Sequence, residues 1–104
     1  MRKLIDGKLY DTTTAEMIHG WDNGFPGSDF KSCSETLYRT KKGAWFLHGE
    51  GGPMSQYARS IDNNAMGFGE QIQPMDKDEV ITWLESVQGI DELMELFPDY
   101  IQPA

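Results

Sequence analysis

Apolar residues recur at helical spacing near the C-terminus of the chain. The positions that share one face of the predicted helix are Val80, Trp83, Leu84 and Val87. Asp78 and Glu85, seven residues apart, fall on the opposite, solvent-facing side. Asp76 is a favourable N-cap, and Glu79, three residues later, can complete a capping box. We therefore predict that a helix begins at Asp76 and ends at Gly89.

A second, shorter helix is predicted over residues 92–97, because Asp91 can cap it and Pro98 prevents its extension. Its apolar residues are Leu93, Met94 and Phe97, and its polar residues are Glu92 and Glu95. The two helices together are expected to present one continuous acidic surface.

The first part of the chain alternates in the manner of β-strands. Residues 2–10 predict a short hairpin around Asp6 and Gly7, the pair that best tolerates the positive φ angles of a two-residue turn. A short helix is predicted next, capped at Asp11 or Thr12 and ending near Gly20. Its apolar positions are Ala15, Met17, Ile18 and Trp21. Residues 22–28 are dense in turn formers and predict a surface loop.

The middle of the chain predicts a second hairpin. One strand covers residues 30–40, the tip is residues 41–43, and the chain returns through residues 44–48. Leu37 and Tyr38 fall on opposite faces of the first strand, and because both are large the alternation does not decide which face is buried.

Three weaker elements follow this hairpin. A one-turn helix is predicted through residues 55–58, and a turn at residues 62–64. Residues 70–73 can return as an edge strand that ends at Pro74, which has no amide proton to donate. The strand would complete a small antiparallel sheet.

The length of 104 residues favours a single domain with one modest core. We predict an α+β fold, in which residues 1–73 form a hairpin-rich sheet region and residues 74–98 an acidic helical region packed on one face. The single cysteine, Cys33, excludes an internal disulfide, and no signal peptide or long apolar run is seen. These features indicate a cytoplasmic protein that does not enter the membrane.

Charge is distributed unevenly along the chain. Residues 1–69 carry eight acids and eight bases, whereas residues 70–104 carry nine acids opposed only by Lys77, so the net charge of −8 arises in the last third. This field repels nucleic acid and anionic membranes and attracts a basic surface, such as that of a protein that holds DNA or RNA. A solvated acidic helix that only keeps the protein soluble would show the same charge pattern.

Residues that could support catalysis or bind a metal are few. His19 and His48 lie on unrelated elements, without an acidic residue at a spacing that would make it a metal co-ligand, so we predict no metal or other cofactor. Cys33 has nothing local to lower the pKa of its thiol. The glycine run at residues 49–52 lacks the Lys-Ser/Thr ending of a phosphate loop and is interpreted as a tight crossing beside the sheet. Catalysis is therefore not expected.

The tip of the second hairpin combines cations with aromatic side chains. The residues are Tyr38, Arg39, Lys41, Lys42 and Trp45. This mixture is typical of surfaces that bind single-stranded nucleic acid. A charged tip that only discourages pairing between strand edges would have the same composition.

One long run of residues resembles a small domain found in plasmids and prophages of Gram-positive bacteria. The resemblance covers roughly residues 8–86 and rests on Leu9-Tyr10-Asp11-Thr12, Asn23-Gly24, Asp29-Phe30, the continuous stretch 35–52, Ser55-Gln56-Tyr57 and Asn63-Asn64. Proteins that carry this domain include small type II-A anti-CRISPR proteins, which inhibit the RNA-guided DNA nuclease. No inhibitory residue is transferred from them.

The resemblance implies that the chain inhibits a type II CRISPR effector nuclease. Such a nuclease holds its guide and target in positively charged channels, for which an acidic protein can compete. The candidate contact residues are Asp78, Glu79, Glu85, Asp91, Glu92 and Glu95. The hairpin tip and the Phe25 loop could instead contact a surface outside the channels. A nucleic-acid-binding accessory protein of a mobile element that uses the hairpin tip is the first alternative, and a hydrolase that uses clustered carboxylates is the second.

Overall fold

A four-stranded antiparallel sheet forms the centre of the molecule, with a two-stranded hairpin on one face and two helices on the other. The structure is a computed structural model and describes all residues, 1–104. The strands are β1 (Arg2–Ile5), β2 (Lys8–Asp11), β3 (Glu16–Asp22), β4 (Cys33–Arg39), β5 (Trp45–Gly51), β6 (Arg59–Asp62), β7 (Ala65–Gly67) and β8 (Gly69–Met75). The helices are α1 (Lys77–Ser86) and α2 (Ile90–Leu96), and a 3-10 turn follows at Pro98–Tyr100. The predicted α+β class is confirmed.

The N-terminal hairpin forms as predicted. β1 pairs with β2 in the register that sets Ile5 opposite Lys8. The two turn residues, Asp6 and Gly7, have φ angles of 52° and 77°. Positive φ at both positions is what a tight hairpin with the natural strand twist requires.

The helix predicted after this hairpin is wrong, because residues 16–22 form β3 and pair with β4. The ladder between them is irregular between Met17 and His19. This bulge lets Ile18 and Trp21 pack against the same core although they are three residues apart. A bulged strand thus reproduces the spacing of a helix. Asp11 accepts hydrogen bonds from the amide and the hydroxyl of Thr13 in a local turn instead of capping a helix.

The central hairpin of β4 and β5 is confirmed, with Leu37 paired to Leu47 and Tyr38 to Phe46. The first strand begins at Cys33 instead of residue 30, since Asp29 accepts a hydrogen bond from the Lys31 amide and holds a turn there.

Both faces of the central hairpin are covered where Leu37 and Tyr38 lie, which answers the question that alternation left open. One face meets the helices through a core of Leu37, Leu47, Val80, Ile81, Trp83, Leu84 and Leu93. The other meets the N-terminal hairpin through Tyr10, Phe46 and Ile72, with Tyr38 packed against them. Covering a sheet on both sides explains why Leu37 and Tyr38 can both be large.

The segment between β5 and β8 is built from turns. Residues 53–58 form consecutive turns instead of the predicted one-turn helix. The predicted turn at residues 62–64 is confirmed as the tip of a β6–β7 hairpin. β8 is an outer strand of the central sheet, as predicted, and it continues through Pro74 to Met75.

The capping box of α1 is confirmed. The Asp76 carboxylate accepts from the Glu79 amide at 2.8 Å, and the Glu79 carboxylate accepts from the Asp76 amide at 3.0 Å. At the other end, Gln88 and not Gly89 adopts a positive φ, 59°. Gly89 instead precedes α2 as its N-cap, and Asp91 lies inside the first turn. The predicted cap at Asp91 is therefore displaced by two residues.

Candidate functional site

The six acids predicted to form a binding face divide into two groups. Glu79 is engaged in the capping box, Glu85 accepts from the Tyr100 hydroxyl at 3.0 Å, and Glu92 lies 3.1 Å from His19. Asp78, Asp91 and Glu95 are exposed and have no side-chain hydrogen bond or ion pair. These three carboxylates, which we call the free acids, are available to an external partner.

Glu92 connects α2 to the sheet. Its Oε1 lies 3.1 Å from Nδ1 of His19 on β3, and the His19 ring packs edge-on against Trp83. The hydrogen bond from His19 lowers the pKa of the Glu92 carboxyl below its ordinary value. Glu92 therefore positions the helix that carries two of the free acids.

The structure adds Glu16 to the acids of α2. A cavity of about 160 Å³ between α2 and β3 is lined by Glu16, Asp91, Glu92 and Glu95, among others. The sequence alone did not reveal the place of Glu16, because residue 16 falls in the predicted helix that does not form. Only the pairing of β3 at the edge of the sheet brings it beside α2.

Lysine and arginine do not neutralise these acids. Across the whole chain, the only ion pairs within 4.0 Å are His19 with Glu92 and His48 with Glu70. The three free acids are thus left to solvent or to a partner. Unpaired surface charges contribute little to the stability of a fold, but they shape the field that a partner meets.

The aromatic residues of the alternative site do not lie together. Tyr38 stacks on Phe46 with ring centres 5.1 Å apart, on the face covered by the N-terminal hairpin. Trp45 lies on the face of the sheet covered by the helices, where it packs against Phe97. The Arg39 guanidinium lies over the Trp45 ring, 4.6 Å from its centre. The predicted stacking platform of Tyr38 and Trp45 is therefore divided between two faces of the sheet.

The lysines of the hairpin tip do share a groove with a lysine from another element. A cavity of about 540 Å³ lies between the two hairpins and is lined by Lys8, Lys41 and Lys42 together with Leu9 and Tyr10. We call this cavity the basic groove. Sequence reasoning missed Lys8, because the packing of the N-terminal hairpin on the sheet could not be deduced from local pattern.

The glycine run is not a crossing beside the sheet, because Gly49 and Gly51 lie within β5; it is instead the place where the following loop crosses over the sheet. Tyr57 lies over Gly49, and Ser55 lies against Gly51, so that residues 52–58 sit on the sheet where side chains are absent. The Tyr57 hydroxyl donates to Glu35 of β4, which also accepts from Trp83 Nε1 at 3.1 Å. Most of the residues in this arrangement belong to the stretch that carries the sequence resemblance. In the structure they pack the loop on the sheet and hold it there by hydrogen bonds.

The two polar groups considered for chemistry differ in their surroundings. Burial, followed by the neighbouring Glu35 carboxylate, raises the pKa of the Cys33 thiol, which disfavours the reactive thiolate. His48, by contrast, has two acidic neighbours, Glu50 and Glu70, and the three donor atoms lie within 4.8 Å of one another. The inference that no acid accompanies His48 is wrong. His48 and Glu50 are two apart on one strand and so share a face, a signal that the sequence contains.

Comparisons of the chain with models of protein families, with curated proteins and with solved structures find no match. Neither helix has the length and apolar character needed to cross a bilayer.

Proposed function

We propose that this chain is a non-enzymatic inhibitor from a mobile genetic element, acting in the cytoplasm of a bacterial host. Its partner would be the RNA-guided effector nuclease of a type II CRISPR system, and binding would interfere with guide RNA or target DNA. The observation that carries the proposal is the set of free acids, Asp78, Asp91 and Glu95, exposed on two helices and without any cation within ion-pair distance.

The charge of the proposed partner matches this surface. An effector of this type holds the guide and the target strand in positively charged channels and recognises their backbone geometry. Because the backbone of the two helices is already ordered, exposed carboxylates on them can occupy such a channel without a further cost for ordering the backbone. Association would be steered by charge, so its rate should fall as salt rises.

The sequence resemblance to type II-A anti-CRISPR proteins supports the same partner from an independent direction. The residues on which it rests all precede α1, whereas the free acids lie on the helices. The proposal therefore combines a domain type inferred from the sheet region with a contact surface inferred from the helices.

The test is an order-of-addition assay. The protein is mixed with the effector before or after guide RNA at two salt concentrations, and target cleavage and guide binding are measured. The variant Asp78→Asn/Asp91→Asn/Glu95→Gln should weaken inhibition by at least about tenfold if each charge contributes about 0.5 kcal/mol or more.

A matched control separates the position of the charge from its amount. Asp6→Asn/Asp29→Asn/Asp62→Asn removes the same three charges from the sheet region, and each amide keeps an acceptor oxygen for local turns. It should inhibit like the wild type. If both variants lose inhibition equally, the effect depends on total charge and not on a specific acidic face. If the wild type does not inhibit, whether it is added before or after guide RNA, the proposal is rejected for that nuclease.

The basic groove favours a second candidate, a nucleic-acid-binding accessory protein. Lys8, Lys41 and Lys42 line one cavity, and none of them is paired with a carboxylate. If this is the function, the protein shifts free RNA or DNA in a gel, and Lys41→Gln/Lys42→Gln abolishes the shift. The triple acid-to-amide variant would then bind as well as the wild type or better.

A further inference from the structure

His48, Glu50 and Glu70 meet on the open part of the central sheet. Alternation along β5 sets Phe46, His48 and Glu50 on the face that the N-terminal hairpin covers only at the Phe46 end. Glu70 stands directly opposite Glu50 on β8. The three donor atoms, one imidazole nitrogen and two carboxylate oxygens, lie within 4.8 Å of one another.

The pairing type brings the two glutamates especially close. Hydrogen-bonded and non-hydrogen-bonded pairs alternate along an antiparallel ladder, and side chains of the second kind approach more closely. Pro74 has no amide proton, so its pair with Phe46 is of the second kind. The pairs of His48 with Ile72 and of Glu50 with Glu70 follow at intervals of two residues and are therefore of the same kind.

Two like charges directly opposite each other destabilise a sheet unless something compensates them. On the other side of Glu50 and His48, β4 supplies the neutral residues Ser34 and Thr36. No lysine or arginine nitrogen lies within 4.0 Å of either glutamate. The His48 ring, 2.9 Å from Glu70, is hydrogen-bonded to one carboxylate and leaves the other without a partner.

We propose that His48, Glu50 and Glu70 bind a divalent transition-metal ion, with Zn²⁺ as the best-matched species. An imidazole nitrogen with two carboxylate oxygens is a donor set suited to Zn²⁺, which takes His and Asp/Glu ligands in four-coordinate sites. The fourth position faces solvent and would hold water or a donor group from a partner. All three ligands come from paired strands, a rigid frame that preorganises a site.

The chain also contains a matched control for this site. His19 and Glu92 form a second His–Glu contact, at 3.1 Å, but without a second carboxylate in the same donor group. If a single His–Glu contact were enough to bind the ion, the two histidines would behave alike. The proposal requires that only the His48 group binds.

The experiment is a titration of the full chain, freed of metal with a chelator, with Zn²⁺ alone. Calorimetry measures the stoichiometry and affinity, and the imidazole resonances of the two histidines in NMR spectra identify the ligand. We expect one equivalent, a shift of the His48 signals, and unchanged binding in His19→Gln. His48→Gln, Glu50→Gln and Glu70→Gln should each weaken binding by at least about tenfold.

Glu50→Gln is the decisive variant, because the Glu50 side chain is exposed and makes no hydrogen bond whose loss could disturb the fold. If Glu50→Gln binds Zn²⁺ with the affinity of the wild type, the proposal is overturned. The contact between His48 and Glu70 would then be only a hydrogen bond. Absence of binding at millimolar Zn²⁺ would also overturn it. Equal binding of Mg²⁺ and Zn²⁺ would overturn the assignment to a transition metal, since Mg²⁺ prefers oxygen donors. The outcome does not depend on the proposed inhibition.

Discussion

The ring of Tyr57 occupies the space in which Gly49 lacks a side chain. A Cβ atom at Gly49 would overlap the Cζ, Cε1 and hydroxyl atoms of Tyr57. The same hydroxyl donates to Glu35 on the neighbouring strand. One glycine thus allows a loop of the chain to lie flat on the sheet and to reach a carboxylate that also binds the indole of Trp83.

Gly49→Ala should destabilise the protein strongly, because the methyl group would displace the Tyr57 ring and the loop attached to it. We expect a loss of about 1–3 kcal/mol in the free energy of unfolding, measured by urea denaturation. Gly27→Ala is the control, since a Cβ there meets nothing within 4 Å and φ is not positive. A similar stability of the two variants would show that the loop is not seated on Gly49.

Tyr57 should also make the fold sensitive to alkali. Burial, followed by the hydrogen bond to Glu35, raises the pKa of the Tyr57 phenol above its ordinary value of 10.0. Above that pH the unfolded chain releases a proton that the folded chain retains, so stability falls as pH rises. Because the hydrogen bond to Glu85 also raises the pKa of the Tyr100 phenol, the absorbance of tyrosinate is followed in Tyr100→Phe, where a late-titrating phenol should remain, and in Tyr57→Phe/Tyr100→Phe, where it should be missing.

The contribution of Glu92 to stability should depend on pH in the opposite direction, with its loss at low pH. The hydrogen bond from His19 lowers the pKa of the Glu92 carboxyl below its ordinary value of 4.5. The stabilisation is present above that value and is lost as pH falls through the lower folded pKa. Glu92→Gln should therefore cost under about 1 kcal/mol at neutral pH and nothing in strong acid, as expected for a partly exposed pair. Glu95→Gln, on the same helix but without a partner, should show no such difference.

Glu50→Gln should stabilise the metal-free protein, because it removes one of two like charges that face each other across β5 and β8. We expect a gain of a few tenths to about 1 kcal/mol, measured by thermal denaturation in the presence of a chelator. Ser34→Ala, a substitution at the neighbouring position on β4, is a control that leaves the charges unchanged. A lower melting temperature of Glu50→Gln under these conditions would show that the two carboxylates do not repel each other.

The sequence predicts correctly those turns and helix caps that are formed by residues close together in the chain. The turn at Asp6 and Gly7 and the capping box of Asp76 and Glu79 are satisfied by residues within three positions of one another. β3 was misassigned because its bulge imitates helical spacing, and only its pairing with β4 shows that it is a strand. The end of α1 was predicted at Gly89, but the helix ends at Ser86 and the positive φ that follows it belongs to Gln88.

The candidate sites depend on pairings that local pattern does not contain. Lys8 joins Lys41 and Lys42 only because one hairpin packs on the other, and Glu16 joins the acids of α2 only because β3 is at an edge. His48 and Glu50 could have been recognised together from their spacing on a strand, whereas Glu70 required the register of β8. The exposed acids on the helices were predicted, but which of them are engaged internally was not.

Each of the two outer strands of the central sheet, β3 and β8, has an interrupted backbone edge. Pro74 interrupts the row of amide donors on the free side of β8, and the irregularity between Met17 and His19 interrupts the regular backbone of β3. A strand from another molecule needs an unbroken, flat edge to add itself to a sheet. Neither outer strand offers one along its full length, so edge-to-edge addition of a further strand is disfavoured.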